Sequence, residues 1–145
     1  MTTVRKTEDH RIALIDHLIR LLKRVVAAGL LFLALIYWMR ITGLSDVPGL
    51  RFDTMLPHWR TASVLMAVLL PIAALGLWGQ FTWGTTSWLI AAVSELSIYL
   101  GWVGDFGEND LVVAFHVTAI SVYVLLKAIR LIIRKWTMPE SEPGR

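Results

Sequence analysis

Cysteine is absent from all 145 residues, which excludes disulfides, thiol nucleophiles and cysteine-ligated metals together. Charge is scarce too. Asp, Glu, Lys and Arg make up 17% of the chain against 56% hydrophobic residues, and the mean hydropathy is +0.61. A soluble domain of this length needs more polar residues than that to cover its surface. There is no HExxH, no nucleophile elbow and no glycine-rich phosphate loop, so hydrolytic, metal-dependent and nucleotide chemistry have no visible foothold. No enzyme activity, metal or cofactor is expected. The sequence pI near 9.6 invites a nucleic-acid reading, but no recognition module accompanies the charge. The basic residues flank apolar segments instead, which is a membrane-protein pattern.

What the chain does have is long apolar segments. Four are long enough, or nearly so, to cross ~30 Å of hydrocarbon at ~1.5 Å per residue: about Val25–Leu44, Trp59–Gly79, Gly84–Val103 and Leu111–Ile133. Gly and Pro punctuate the three short connections, with Pro48 and Pro57 bracketing the longest. Short connections make consecutive helices antiparallel neighbours. The expected fold is an all-α membrane protein, a four-transmembrane-helix antiparallel bundle with an N-terminal amphipathic helix. Residues 1–24 read as a basic amphipathic arm at the cytoplasmic face, 25–136 as the bundle and 137–145 as a polar cytoplasmic tail.

Lys and Arg set the orientation. Arg5, Lys6, Arg11, Arg20, Lys23 and Arg24 precede the first span, and Lys127, Arg130, Arg134, Lys135 and Arg145 end the last. Only Arg40, Arg51 and Arg60 fall on the other side, so both termini are expected in the cytoplasm. Trp38, Trp59 and Trp102 then fall at the outer interface, and Trp78, Trp83, Trp88 and Trp136 at or near the inner one. No cleavage site follows the first span, which is expected to serve as an uncleaved anchor. In the arm, Leu14, Ile15, Leu18, Ile19, Leu21, Leu22 and Val25 share one half of a helical wheel, opposite Asp16, His17, Arg20, Lys23 and Arg24. Such a helix lies on anionic lipid; docking a partner is the competing use.

Glu95 in "AAVSELSIYLGW" and His116 in "LVVAFHVTAI" are the main candidates for a site. A charge at the centre of a membrane helix costs roughly 2.5–3.5 kcal/mol on insertion scales, so such a group faces protein or water. Counting from the intervening turn puts both residues ~10–12 Å below the outer boundary, on adjacent antiparallel helices. They are expected to meet, with Arg40 near the outer end of the first span as a third member. The last segment adds a polar stripe of Tyr123, Lys127, Arg130 and Arg134 in line with His116 at helical spacing. This is either a track for protons or anions, or a row of basic chains snorkelling to headgroups. Pro71 deprives Ala67 of its helical hydrogen-bond partner and should kink the second segment. Ser63, Ala67 and Ala74 allow a close neighbour. The outer loop carries Arg51, Asp53, His58 and Arg60 among Phe52, Met55, Leu56 and Trp59. It is expected to fold over the bundle mouth, with Asp53 pairing an arginine and capping the second helix. His10 and His17 read as solvated; Asp105, Glu108 and Asp110 form a small outer acidic patch that reads as helix capping, with cation binding the lesser alternative.

At "WMRITGL", "RFDTMLPHW", "PIAALGLW", "ELSIYLG" and "LVVAFHV" the chain resembles a family of small four-helix membrane proteins from alphaproteobacteria, catalogued as domain of unknown function 6163. The resemblance covers about Leu30–Leu131 and implies a bacterial inner-membrane location. It implies no activity.

The functional expectation is a small non-enzymatic inner-membrane protein, an accessory or assembly subunit of a larger membrane complex. Its partners would be membrane lipids and that complex, or further copies of itself. The alternative is a small oligomeric proton-linked transporter working through Glu95 and His116. A membrane redox or lipid enzyme stands third, since no cofactor ligand pair is visible.

Overall fold

The computed structural model describes residues 2–44, 51–101 and 109–137. Helix α1 runs from Thr2 to Ile41, α2 from Pro57 to Trp78, α3 from Thr82 to Leu96 and α4 from Asp110 to Thr137. A π-helical turn, Ser97–Gly101, extends α3. No strand occurs among the described residues, and the architecture is an antiparallel bundle of four helices. Among the described residues two helices, α2 and α4, are long and apolar enough to cross a membrane.

The arm is part of α1. That helix is 40 residues long and shows no break near Arg24, so the expected helix lying on the membrane ahead of the first span is not a separate element. The reason is local: Arg, Lys and Leu are all strong helix formers, and a change from basic to apolar composition is no obstacle to helical hydrogen bonding. Contact with α4 also holds this half in line. Arg130 Nε reaches Asp16 Oδ1 at 2.8 Å and its Nη2 reaches Oδ2 at 3.2 Å, a two-pronged pair. Ile15 and Ile19 are buried beside it, whereas Leu14, Leu18 and Leu21 remain exposed.

Packing is uneven around the bundle. α1 lies against both α2 and α4, α2 lies against α3, and α3 approaches α4 at few points. The tight seam is α2–α3, where a Cβ added to Gly84 would overlap the carbonyl of Gly76. Backbones approach that closely only where both residues lack side chains. Ser63, Ala67 and Ala74 are fully or almost fully buried, as their size suggests. The loose seam is α3–α4, held apart by large groups: Trp88 and Tyr123 meet edge to face at 5.7 Å. Trp88 is therefore core and not part of an interfacial belt; only 1% of it is exposed. It lies on the same face as the small Gly84, Ala91 and Ala92, which leave room for an indole. The α2–α3 turn closes with Phe81 N–H donating to Gly76 O and Gln80 N–H to Leu77 O. Gln80 takes the left-handed position (φ 58°) usually given to glycine, and its side-chain amide also donates to Leu77 O at 2.9 Å.

Pro71 leaves the carbonyl of Ala67 without its helical donor, and Trp38 of α1 supplies one: its Nε1–H donates to Ala67 O at 3.1 Å. A sequence-imposed gap in α2 thus becomes a tie between α1 and α2. Trp38→Phe should cost about 1 kcal/mol, read as a lower thermal midpoint in detergent. With Pro71→Ala, the restored backbone N–H satisfies Ala67 itself, and most of the Trp38→Phe penalty should vanish in the double variant.

Candidate functional site: a buried carboxylate cluster beside an apolar groove

Glu95 and His116 meet. Glu95 Oε2 lies 2.7 Å from His116 Nε2, and neither side chain is accessible to solvent. They come from the two helices whose backbones hardly touch, so the pair spans the loose α3–α4 seam. Its other oxygen, Oε1, accepts from Tyr37 Oη of α1 at 2.8 Å. Tyr37 Oη in turn lies 3.3 Å from Tyr99 Oη, a residue in the π turn directly after Glu95. π turns of this kind recur at functional sites because they re-aim side chains out of helical register. The result joins α1, α3 and α4 through one carboxylate. Each carboxylate oxygen has a protein partner, which is what a fully buried carboxylate requires. His116 Nδ1 is buried and has no hydrogen-bond partner among the described residues.

Tyr37 and Tyr99 went unread in the sequence. Tyr37 precedes Arg40 by one helical turn, and Tyr99 follows Glu95 by about one, so both lay on the right faces. Tyrosine in an apolar helix is read first as bulk or as an interfacial anchor, which hides a hydroxyl aimed at a carboxylate.

Arg40 is near the cluster but outside it. Its guanidinium sits over the rings of Tyr37 at 5.1 Å and Trp59 at 5.7 Å, and Trp59 also meets Tyr99 edge to face. Cation–π contact has taken the place of the anticipated bond to Glu95. The helix 4 stripe divides in two. Lys127, together with Lys23 of α1, holds its ammonium group near the ring of Tyr123. Arg130 is engaged by Asp16 and is therefore a fastening between helices.

In the outer loop Arg51 and Asp53 pair at 3.2 Å, both well exposed. Arg60 donates to the backbone oxygens of Met55 at 3.0 Å and Asp53 at 2.8 Å, and stacks over Phe52. Met55 is buried and Phe52 half-buried, and Phe52 N–H donates to Arg40 O at 3.2 Å, so this part of the loop folds back onto the bundle. Asp53 does not cap α2. The cap position belongs to Leu56, without a side-chain bond, and Pro57 begins the helix. His58 is half-buried in the first turn of α2. Asp105, Glu108, Trp102 and the loop from 45 to 50 lie outside the described residues.

A groove of about 660 Å³ runs between α1 and α4. Its walls are mainly apolar, and Tyr37, Glu95 and Tyr99 reach it near the end where Arg40 and Asn109 stand. Among the described residues no group of three or more His, Asp or Glu side chains is placed to hold a metal ion. A family model described as a family of unknown function (DUF6163) matches residues 17–134, a stretch that includes every residue of the cluster. No curated protein and no solved structure matches the chain.

Proposed function

The chain belongs to that family of unknown function, whose description assigns no chemistry, and from the site and surface we propose that it is a small integral membrane protein acting as an accessory or assembly subunit of a membrane complex. All four helices span in this reading, in a bacterial inner membrane, with both termini cytoplasmic. One observation carries it, the inverted distribution of polarity. Ser63, Glu95 and His116 are fully buried, while Phe32, Leu35, Val68, Leu75, Val93 and Leu131 are exposed on all four helices. Water penalises that arrangement and hydrocarbon favours it. The Asp16–Arg130 pair supports the orientation, because it sets the two basic ends of the chain side by side. α4 supports the partner role. It is as apolar as α2 but buried over a far smaller share of its length, which leaves a helix face open to lipid or to another protein.

A second reading, a proton-linked carrier, draws on the fact that Glu95 lines the groove and bonds the imidazole of His116. Purification of tagged protein in mild detergent separates the two. The accessory role is expected to bring down one stoichiometric membrane partner, and a self-associating chain with no partner would favour the carrier. Topology is tested alongside. Reporter fusions after Arg145 and in the Gly79–Gly84 turn should both report cytoplasm, and a periplasmic signal from the C-terminal fusion would overturn the four-span arrangement.

A further inference from the structure

The α1–α4 groove has two unlike ends. Along most of its length it is walled by residues such as Leu22, Val26, Leu33, Phe115 and Ala119. At the other end it reaches Arg40 and Asn109. Arg40 Nη1 is buried and has no hydrogen-bond partner among the described residues, while the rings of Tyr37 and Trp59 hold the guanidinium in place. A guanidinium cannot shed its charge, so a buried N–H of this kind is costly unless an acceptor from outside the described residues reaches it. Glu95 lines the same groove but is engaged through both oxygens. Asn109 Oδ1 accepts from Val112 N–H at 3.4 Å, and that leaves its NH₂ group as a second donor lining the same groove.

We infer that this groove holds one hydrocarbon chain of an anionic phospholipid drawn from the surrounding bilayer, with the lipid phosphate on Arg40 Nη1 and the Asn109 amide. The inference rests on the membrane-spanning reading. Size selects the occupant. Leu22 and Arg40 are ~27 Å apart along α1 at ~1.5 Å per residue, so 660 Å³ corresponds to a mean section of about 24 Å². A helix ~10 Å across needs about 80 Å², which is too wide; an extended acyl chain is narrow enough. Position agrees as well. Arg40 is one residue from the end of α1, at the depth where a headgroup meets a spanning helix. Chemistry agrees too, because a guanidinium and phosphate form charge-assisted hydrogen bonds that a zwitterionic headgroup weakens through its own ammonium.

The test uses the full chain in nanodiscs of equimolar phosphatidylglycerol and phosphatidylethanolamine, extracted in mild detergent and weighed by native mass spectrometry. One phosphatidylglycerol per chain should be retained, preferred about tenfold over phosphatidylethanolamine, as one charge-assisted hydrogen bond allows. Arg40→Gln should abolish that preference. Ala114→Phe, at an exposed position of the groove wall, should lose the bound lipid while the helical circular dichroism and thermal midpoint stay unchanged. Equal retention of the two lipids by the unaltered protein would overturn the inference, as would undiminished retention by Ala114→Phe or a lipid-free dimer closed across the groove. Alkaline carbonate extraction separates this failure from the larger one. Protein released by carbonate would remove the membrane reading itself, whereas protein that stays in the membrane without a preferred lipid would remove only the groove assignment.

Discussion

Glu95→Leu is expected to lower stability by about 3–5 kcal/mol, and Glu95→Gln by only ~1 kcal/mol, both read from thermal unfolding in the same detergent. Leucine leaves the ring of His116 buried with nothing to bond and Tyr37 with only the hydroxyl of Tyr99, and the α3–α4 seam has little backbone contact to compensate. Glutamine keeps an oxygen for Tyr37 and offers an amide towards His116 Nε2. The contrast between the variants therefore decides what the carboxylate is for. If Glu95→Gln falls as far as Glu95→Leu, the negative charge holds the cluster together and the packing role is wrong. If Glu95→Gln keeps its stability and its co-purifying partner, a proton-carrying role loses its support.

Gly84→Ala should be the most damaging single-methyl change in the bundle. The new Cβ would overlap the carbonyl carbon and oxygen of Gly76. Those are backbone atoms in the last turn of α2, so no rotamer change relieves the clash and α3 must move away from α2. Overpacking costs about 1–3 kcal/mol, and a backbone obstacle puts this case at the upper end, well above the ~1 kcal/mol that alanine gains over glycine in a helix. Gly29→Ala is the matched comparison. Its Cβ would meet the ring edge of Phe115 at 2.6 Å, a side chain that can swing, so a smaller loss is expected. Parallel unfolding curves for the two variants check the ranking, and a Gly84→Ala protein as stable as Gly29→Ala would mean that the α2–α3 approach is not tight.

The contact between Glu95 and His116 was legible in the sequence because depth in a helical hairpin is simple counting. Two residues at matched distance from one turn must lie at one level. Rotation about each helix is harder to read, and it decided the rest. Arg40 lies close to Glu95 in depth but turns its guanidinium onto Tyr37 and Trp59, and aromatic rings compete for an arginine in ways that spacing does not rank. Trp88 reads as lying at or near an interface because tryptophans near helix ends usually sit there; the small side chains that share its face carry the better signal. The continuity of α1 was obscured by the change from basic to apolar residues, a change of solvent preference that does not alter backbone conformation. Conversely, the Ala67 carbonyl left free by Pro71 was readable from the ring chemistry of proline alone, and only its donor, Trp38, needed three dimensions.

The length of α1 makes it a lever. Forty residues of helix measure about 60 Å, while the hydrocarbon core of a bilayer is about 30 Å thick. In the four-span reading roughly half of the rod projects on the side of its N-terminus. Tilting such a rod by about 10° around its outer end sweeps its inner tip through ~10 Å. Arg130 clasps Asp16 partway along the projecting half, so tilt is communicated to α4 and to the gap between the two helices. Whatever engages the N-terminal tip then acts with mechanical advantage on the level where Tyr37 meets Glu95. Conversely, a small shift at that level is magnified at the far end, where a neighbouring protein could sense it.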